Sequence, residues 1–277
     1  MIRLVEGGRP VTADYRYHHF TTKLLLHDGW FHKAAKRPGE ALPEFDLSTT
    51  DEDRIATGDF VGDRPLFLVT GSMTCPMTAS AIPTLKRLYA QYGDDVAFVM
   101  LNVREAHPGE NYPQPETMDD KMDHAQTLKE FYQLPWTVAV DDIDGTLNIA
   151  MDGKPNSTYL MDRDGKIVFR SVWARDVSGR IRRGLESAAQ EEPPARDQSR
   201  ALLRPLVFAS GVIDPVMKRA GPTAVRDHWR SNFPLQLAGR VASWFRPLSP
   251  DWRGVAAVAT LGTATVLGVV VVLLLLL

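Results

Sequence analysis

Two continuous apolar runs, PLFLVT over 65–70 and VAFVMLNV over 96–103, constrain this chain more than any other feature. Neither alternates polar with apolar residues. Each therefore reads as a strand buried on both faces, in a sheet that needs helices on either side. The segment between them supplies one, since Ile82, Leu85, Leu88, Tyr89 and Tyr92 recur at helical spacing, with Pro83 expected to kink the helix. A second helical spacing runs through Met118, Met122, Ala125, Leu128 and Tyr132. STYLMDRDGKIVFRSV, residues 157–172, reads as a hairpin turning at Asp164-Gly165, and residues 176–190 close as a helix.

This order is that of an α/β, thioredoxin-like fold, predicted over residues 60–192. Residues 1–59 read as an N-terminal extension, with GEALPEFDLSTTD leading into the domain as a strand and turn. Its first twenty residues lack the apolar run of a signal peptide. After the EEPPARD stretch, residues 193–253 read as a basic juxtamembrane linker. Residues 254–277 carry no charge, and as a helix of about 36 Å they would cross a hydrocarbon layer of roughly 30 Å. The expectation is a C-terminal transmembrane helix, a single pass. The net charge of −2 hides an asymmetry: residues 195–253 hold ten Lys and Arg against four Asp. Arg240, Arg246 and Arg253 precede the apolar run, so the domain is expected to face the cytoplasm, with lipid as a partner. Trp229, Trp244, Phe245 and Trp252 are candidates for the headgroup level or for packing on the domain. No nucleic-acid partner is expected.

Cys75 is the only cysteine, which excludes an intramolecular disulfide and a cysteine-rich zinc site. It falls where the first core strand gives way to the following helix, and Pro76 suits the first helical position. Amides and the helix dipole at such a junction would lower the thiol pKa. The residue three further on is Thr78, so there is no C-x-x-C pair, and an oxidised Cys75 must be resolved by an external thiol reductant. No bound cofactor is expected. Nor is a metal: His18 and His19 point to opposite faces of a strand, His27 and His32 are five apart, and Gly29 interrupts Asp28 and His32. A second polar signal, NVREAHPGENY, follows the second core strand. Glu105 and His107, two apart on extended backbone, can face one side and handle protons near neutrality, although a solvated polar loop fits the same spacing.

The stretch GSMTCPMTASAIPTLKRLYAQYGDDVAFVMLNVREAHPGENY resembles the iodothyronine deiodinase family, whose active site joins a strand, GSCT, a selenocysteine and a proline, with an EEAH motif downstream. The likeness covers roughly residues 60–185. It implies an oxidoreductase that removes halogen, typically iodine, from an aromatic ring through a thiol-type nucleophile. By position Cys75 would be that nucleophile and Thr74 its substrate-side neighbour. Glu105 and His107 would handle protons and orient the substrate, with His124 as the family's second histidine and Arg175 as its substrate-holding arginine. Tyr112 and Trp173 would line an aromatic-sized cleft. The chain departs from the family pattern in three ways. Cys75 replaces selenocysteine, so a less acidic and slower nucleophile is expected; Arg104 replaces the motif's first Glu; and the anchor lies at the C-terminus rather than the N-terminus. Two other readings stand beside this one. Cys75 could serve a one-cysteine peroxidase, with Ser72 and Thr74 donating to a hydroperoxide and a sulfenic acid forming, or the domain could be a non-catalytic thioredoxin-like binding module.

Overall fold

A computed structural model describes residues 15–190, 192 and 196–276. The first fourteen residues, most of the stretch read as a leader-free N-terminus, and most of EEPPARD lie outside it. In chain order the elements are α1 (Thr22–Asp28), β1 (Asp46–Ser48), β2 (Arg54–Ala56), β3 (Leu66–Gly71), α2 (Pro76–Tyr92), β4 (Ala97–Asn102), α3 (Met118–Tyr132), β5 (Thr137–Val140) and α4 (Thr146–Met151). Then follow β6 (Thr158–Met161), β7 (Ile167–Ser171), α5 (Arg180–Ala189), β8 (Asp197–Ser199), α6 (Leu203–Ala220), α7 (Pro222–Ser231), α8 (Phe233–Ala242) and α9 (Pro250–Leu276).

The main sheet has the order β5-β4-β3-β6-β7-β8. Strands β3, β4 and β5 are parallel, β6 and β7 return antiparallel, and β8 joins the edge parallel to β7. With a helix crossing from β3 to β4 and a hairpin on the other flank, the architecture is thioredoxin-like. The pleat explains why β3 is apolar throughout. Phe67 and Val69 enter one core with Ile82, Leu85 and Leu128, while Leu66 and Leu68 enter the opposite core with Phe45, Leu147 and Met151. Helix α2 runs through Pro83, which is exposed. Helix α3 begins in a capping box, with Asp120 N–H donating to Thr117 Oγ1 at 3.1 Å and Thr117 N–H donating to the Asp120 carboxylate at 2.9 Å.

Two segments differ from expectation. Residues 15–59 are built into the domain rather than appended to it: Leu42, Phe45 and Leu47 belong to the core, and Tyr15, Tyr17 and Phe20 are buried. Residues 203–242, expected as linker, form three packed helices. Pro222 and Pro234 mark starts rather than breaks, because they sit in the first turn of α7 and α8, where a missing N–H costs nothing, while α6 runs through Pro215. Ala209, Ile213, Val216, Met217 and Ala220 give α6 a buried stripe at helical spacing.

Helix α9 is long and apolar enough to cross a membrane. Its first turns are occupied otherwise, since Gly254 and Ala257 are buried against the helices before it and Leu261 packs there too, while Val258, Val266, Leu267 and Val269 are exposed. Residues 258–276 as helix measure about 28 Å, close to the thickness of a hydrocarbon layer. Trp244 and Trp252 are exposed near the base of α9, whereas Phe245 packs on the α8–α9 contact and Trp229 lies against Phe233.

The α6–α9 crossing is made by backbone. A Cβ on Gly211 would lie 1.8 Å from the Pro250 carbonyl oxygen, and one on Gly254 2.1 Å from that of Val207. Gly211→Val should therefore lower stability by at least about 1–3 kcal/mol, as overpacking does. Gly262→Val should have little effect, since nothing lies within 4 Å of its Cβ position. Thermal melts of the detergent-solubilised chain compare the two.

Candidate active site

The carboxyl ends of β3 and β4 converge, and the loops that leave them carry Cys75 and Glu105. Beyond Gly71 the chain turns, with Cys75 N–H donating to the Ser72 carbonyl at 3.3 Å, and Cys75 caps α2 in an extended conformation ahead of Pro76. Thr78 stands where a dithiol enzyme carries its second cysteine. It accepts a hydrogen bond from Asn156 Nδ2 at 3.2 Å and hydrogen-bonds the Cys75 sulfur.

The junction does not lower the thiol pKa as expected. Cys75 is 2% exposed and shares an apolar cluster with Met77, Ala106, Val172, Trp173 and Ala209. Desolvation pushes its pKa up to about 11, and the opposing bonds from the Thr78 hydroxyl and the Thr78 and Met77 amides do not offset it.

Glu105 ties the two loops together. Its Oε2 accepts from Thr74 N–H at 2.9 Å and from Thr74 Oγ1 at 2.6 Å, and its Oε1 lies 3.2 Å from His124 Nδ1. Gln114, which carries no sequence signal, clamps the Glu105 backbone in both directions, at 3.0 and 2.7 Å. His124 lies partly exposed on a cavity of about 240 Å3 lined by Gln114, Glu116, Asp120 and Asp123, with the Tyr112 ring 5.6 Å away. Burial opposes charge on His124, but the Glu105 carboxylate 3.2 Å away, with the charges of Asp120 and Asp123, outweighs it, so its pKa is raised.

His107 faces elsewhere. Its backbone N–H donates to Thr74 Oγ1 at 3.0 Å, while its ring packs 4.1 Å from Phe20 and 5.2 Å from His228. Burial, assisted by His228, holds its pKa well below the ordinary histidine value, so the ring is neutral near pH 7. His228 is pushed down to about 4 by burial, against a bond to Gln236 Oε1 at 2.7 Å. Thr74 has its hydroxyl proton committed to Glu105, which removes one of the two donors expected for a hydroperoxide, while Ser72 Oγ accepts from the Ala106 N–H at 3.3 Å. Trp173 joins the Cys75 cluster, whereas Tyr112 does not. Arg175 is held by the Ser80 carbonyl, by Asp251 of α9 at 2.7 Å and over the Phe208 ring at 4.2 Å. Phe20 and His228 join the site from segments with no motif.

Arg104 is buried between the Tyr15 and Tyr17 rings, pairs with Asp28 at 3.3 Å and donates to the Gly153 carbonyl at 2.6 Å. It fixes the N-terminal segment behind the motif. His32 pairs with Asp152 at 2.8 Å, and among the described residues no group of three His, Cys, Asp or Glu is arranged for a metal.

The family model for iodothyronine deiodinase matches residues 17–176, more than half of the chain. The chain belongs to the iodothyronine deiodinase family. It is 27% identical over 119 residues to thyroxine 5-deiodinase of Sparus aurata, covering 39% of this chain and 43% of the relative. It is 28% identical over 120 residues to type II iodothyronine deiodinase of Homo sapiens, covering 36% and 44%. The match thus spans about half the length of the curated deiodinases, or less. Among solved structures, an uncharacterized conserved protein from Geobacillus kaustophilus matches with a TM-score of 0.47 and 21% identity, covering 58% of this chain and 87% of that one. A thiol-disulfide oxidoreductase from Bacteroides fragilis NCTC 9343 matches at 0.38 and 17%, covering 47% and 89%. The deiodinase match ends at residue 176, so α6 to α9 lie beyond it.

Two titrations check these environments. The rate of Cys75 alkylation should rise with pH toward a midpoint near 11, against about 9 for the same sulfur in the unfolded chain, because burial favours the neutral thiol. The His124 ring, followed by NMR, should titrate above 6.5 in the parent chain and at a lower pH in Glu105→Gln, where only the charges of Asp120 and Asp123 still oppose desolvation.

Proposed function

We propose that this chain is a membrane-anchored, thiol-dependent reductase that removes halogen from an aromatic substrate, with Cys75 as the nucleophile. The observation that carries the reading is Glu105, whose carboxylate joins the turn bearing Cys75 to His124 at a solvent-facing cavity. A reductive dehalogenation needs a thiolate and a proton for the ring carbon, and this arrangement offers a route for the proton.

The Cys75 sulfur attacks the halogen. An S–I bond forms, the C–I bond breaks with its electron pair going to carbon, and the carbon takes a proton, so that aryl iodide and thiol become arene and sulfenyl iodide. An external thiolate then attacks the Cys75 sulfur and expels iodide. A second external thiol frees Cys75 and leaves as the disulfide, the two-electron oxidation that balances the reduction. His124, with its raised pKa and a contact to solvent, is the proton-handling partner of Glu105. His107 stays neutral and orients. The arginines before α9 support a cytoplasmic orientation of the domain, where a reducing medium suits a lone thiol.

The test incubates the full chain with an iodinated phenol and a dithiol and measures iodide. Cys75→Ser should abolish release, and Glu105→Gln should lower it by about 10²-fold or more, as loss of general acid–base support does. Hydrogen peroxide runs as the competing substrate, and peroxide consumption without iodide release would favour the peroxidase. In sealed inside-out vesicles added protease should digest the domain, and full protection would reverse the orientation.

A further inference from the structure

The sulfur just assigned as nucleophile lines neither the cavity beside His124 nor the larger one, about 330 Å3, at the opposite end of β3 and β4. What covers it is α6. Ala209 is fully buried in the Cys75 cluster, and Leu206, one turn earlier, and the N-cap residue Leu202 pack against it. In the same cluster Trp173 keeps its indole Nε1 buried without a hydrogen-bond partner, although buried N–H groups are almost always paired. An apolar surface, a thiol and an unused donor thus meet beneath one helix.

The covering helix belongs to a layer with its own cohesion. Ile213, Val216, Met217, Ala220 and Ala224 form a separate cluster, and the glycine crossing fastens α6 to α9. Small residues such as Ala79 make part of its contact with α2. At its edges the layer is tied to the family domain by polar contacts: Glu110 to the Thr223 N–H and hydroxyl, Arg175 to Asp251, Asn111 to the Arg219 and Ala220 carbonyls, Arg219 to the Tyr132 hydroxyl and His19 to Asp227. The Glu110 ties are solvent-exposed and of a weak kind, and Asp251 is partly exposed although its partner Arg175 is buried.

We propose that α6 is a plug, occupying the place of an aryl substrate, and that its withdrawal opens a slot formed by Cys75, Met77, Ala106 and Trp173. The indole N–H of Trp173 receives an acceptor oxygen of the ring's substituent. The slot takes an aromatic compound bearing a phenolic or other acceptor oxygen, and this rests on the dehalogenase reading for the chemistry that follows. The layer lies beyond the part of the chain that the family model matches.

Because Cys75 is the only cysteine, its alkylation by iodoacetamide reports the plug directly. In the full chain at one pH, the parent should react far more slowly than the unfolded chain. The double variant Glu110→Gln, Asp251→Asn should react about tenfold faster than the parent while keeping its circular dichroism and cooperative melt. Then 4-iodophenol should slow alkylation of that variant, and Trp173→Phe in the same background should remove the protection. A parent thiol as reactive as in the unfolded chain, or a double variant no faster than the parent, would overturn the plug. Absence of protection, or equal protection without the indole, would overturn the slot. No turnover is needed, so a chain that fails to release iodide can still show the plug, and one that releases it from an uncovered thiol would refute the plug alone.

Discussion

Everything at this site depends on one buried carboxylate. Glu105 accepts two hydrogen bonds from Thr74 and faces His124, and so holds three separate stretches of chain in one geometry. Hydrogen bonds to a charged group contribute about 1.5–3 kcal/mol each, and stranding such a charge costs more than the bonds are worth. The Gln114 clamp on its backbone explains how a loop residue is kept in place so firmly. Around this post the turn carrying Cys75 and the histidine loop have little freedom to move apart.

The thiol is governed by a contest between two local effects. A helix N-terminus favours a nearby negative charge by about 0.3–1 kcal/mol, up to roughly 2 in partly buried geometry. A rise from about 9 to about 11 corresponds to roughly 3 kcal/mol against the thiolate, so desolvation wins. The covering residue Ala209 stands far along the chain from Cys75, and a closed thiol is thus a product of tertiary packing. An enzyme that attacks with a thiolate needs this balance to reverse at the moment substrate arrives. Lifting α6 would remove the desolvation and leave the dipole.

Much of this was legible in the sequence, for local reasons. The strands β3 and β4 announce themselves because burial on both faces leaves no polar positions, and Asp164-Gly165 marks its hairpin because Gly165 takes a left-handed conformation, φ +77°. Cys75 and Glu105 stand out by their place after the two core strands, and His124 by the resemblance to the deiodinase family. The C-terminal layer was not legible, since Pro222 and Pro234 look like breakers until the helix starts are known, and the α6 stripe gains meaning only from α2 and α9. His107 illustrates the same limit. Its place in the motif is visible, but its neutral state depends on Phe20 and His228, which no local pattern connects to it.

The central claim is that the Cys75 sulfur itself takes the halogen, and a single turnover without reductant tests it. The full chain, at stoichiometric excess over an iodinated phenol and with no added thiol, is quenched and digested, and the Cys75 peptide is weighed by mass spectrometry. The account predicts deiodinated phenol in an amount matching the loss of free Cys75, with the peptide recovered as its sulfenyl iodide or the sulfenic acid formed by hydrolysis. Deiodinated phenol formed while Cys75 remains a free thiol, or formed equally by Cys75→Ser, would contradict it.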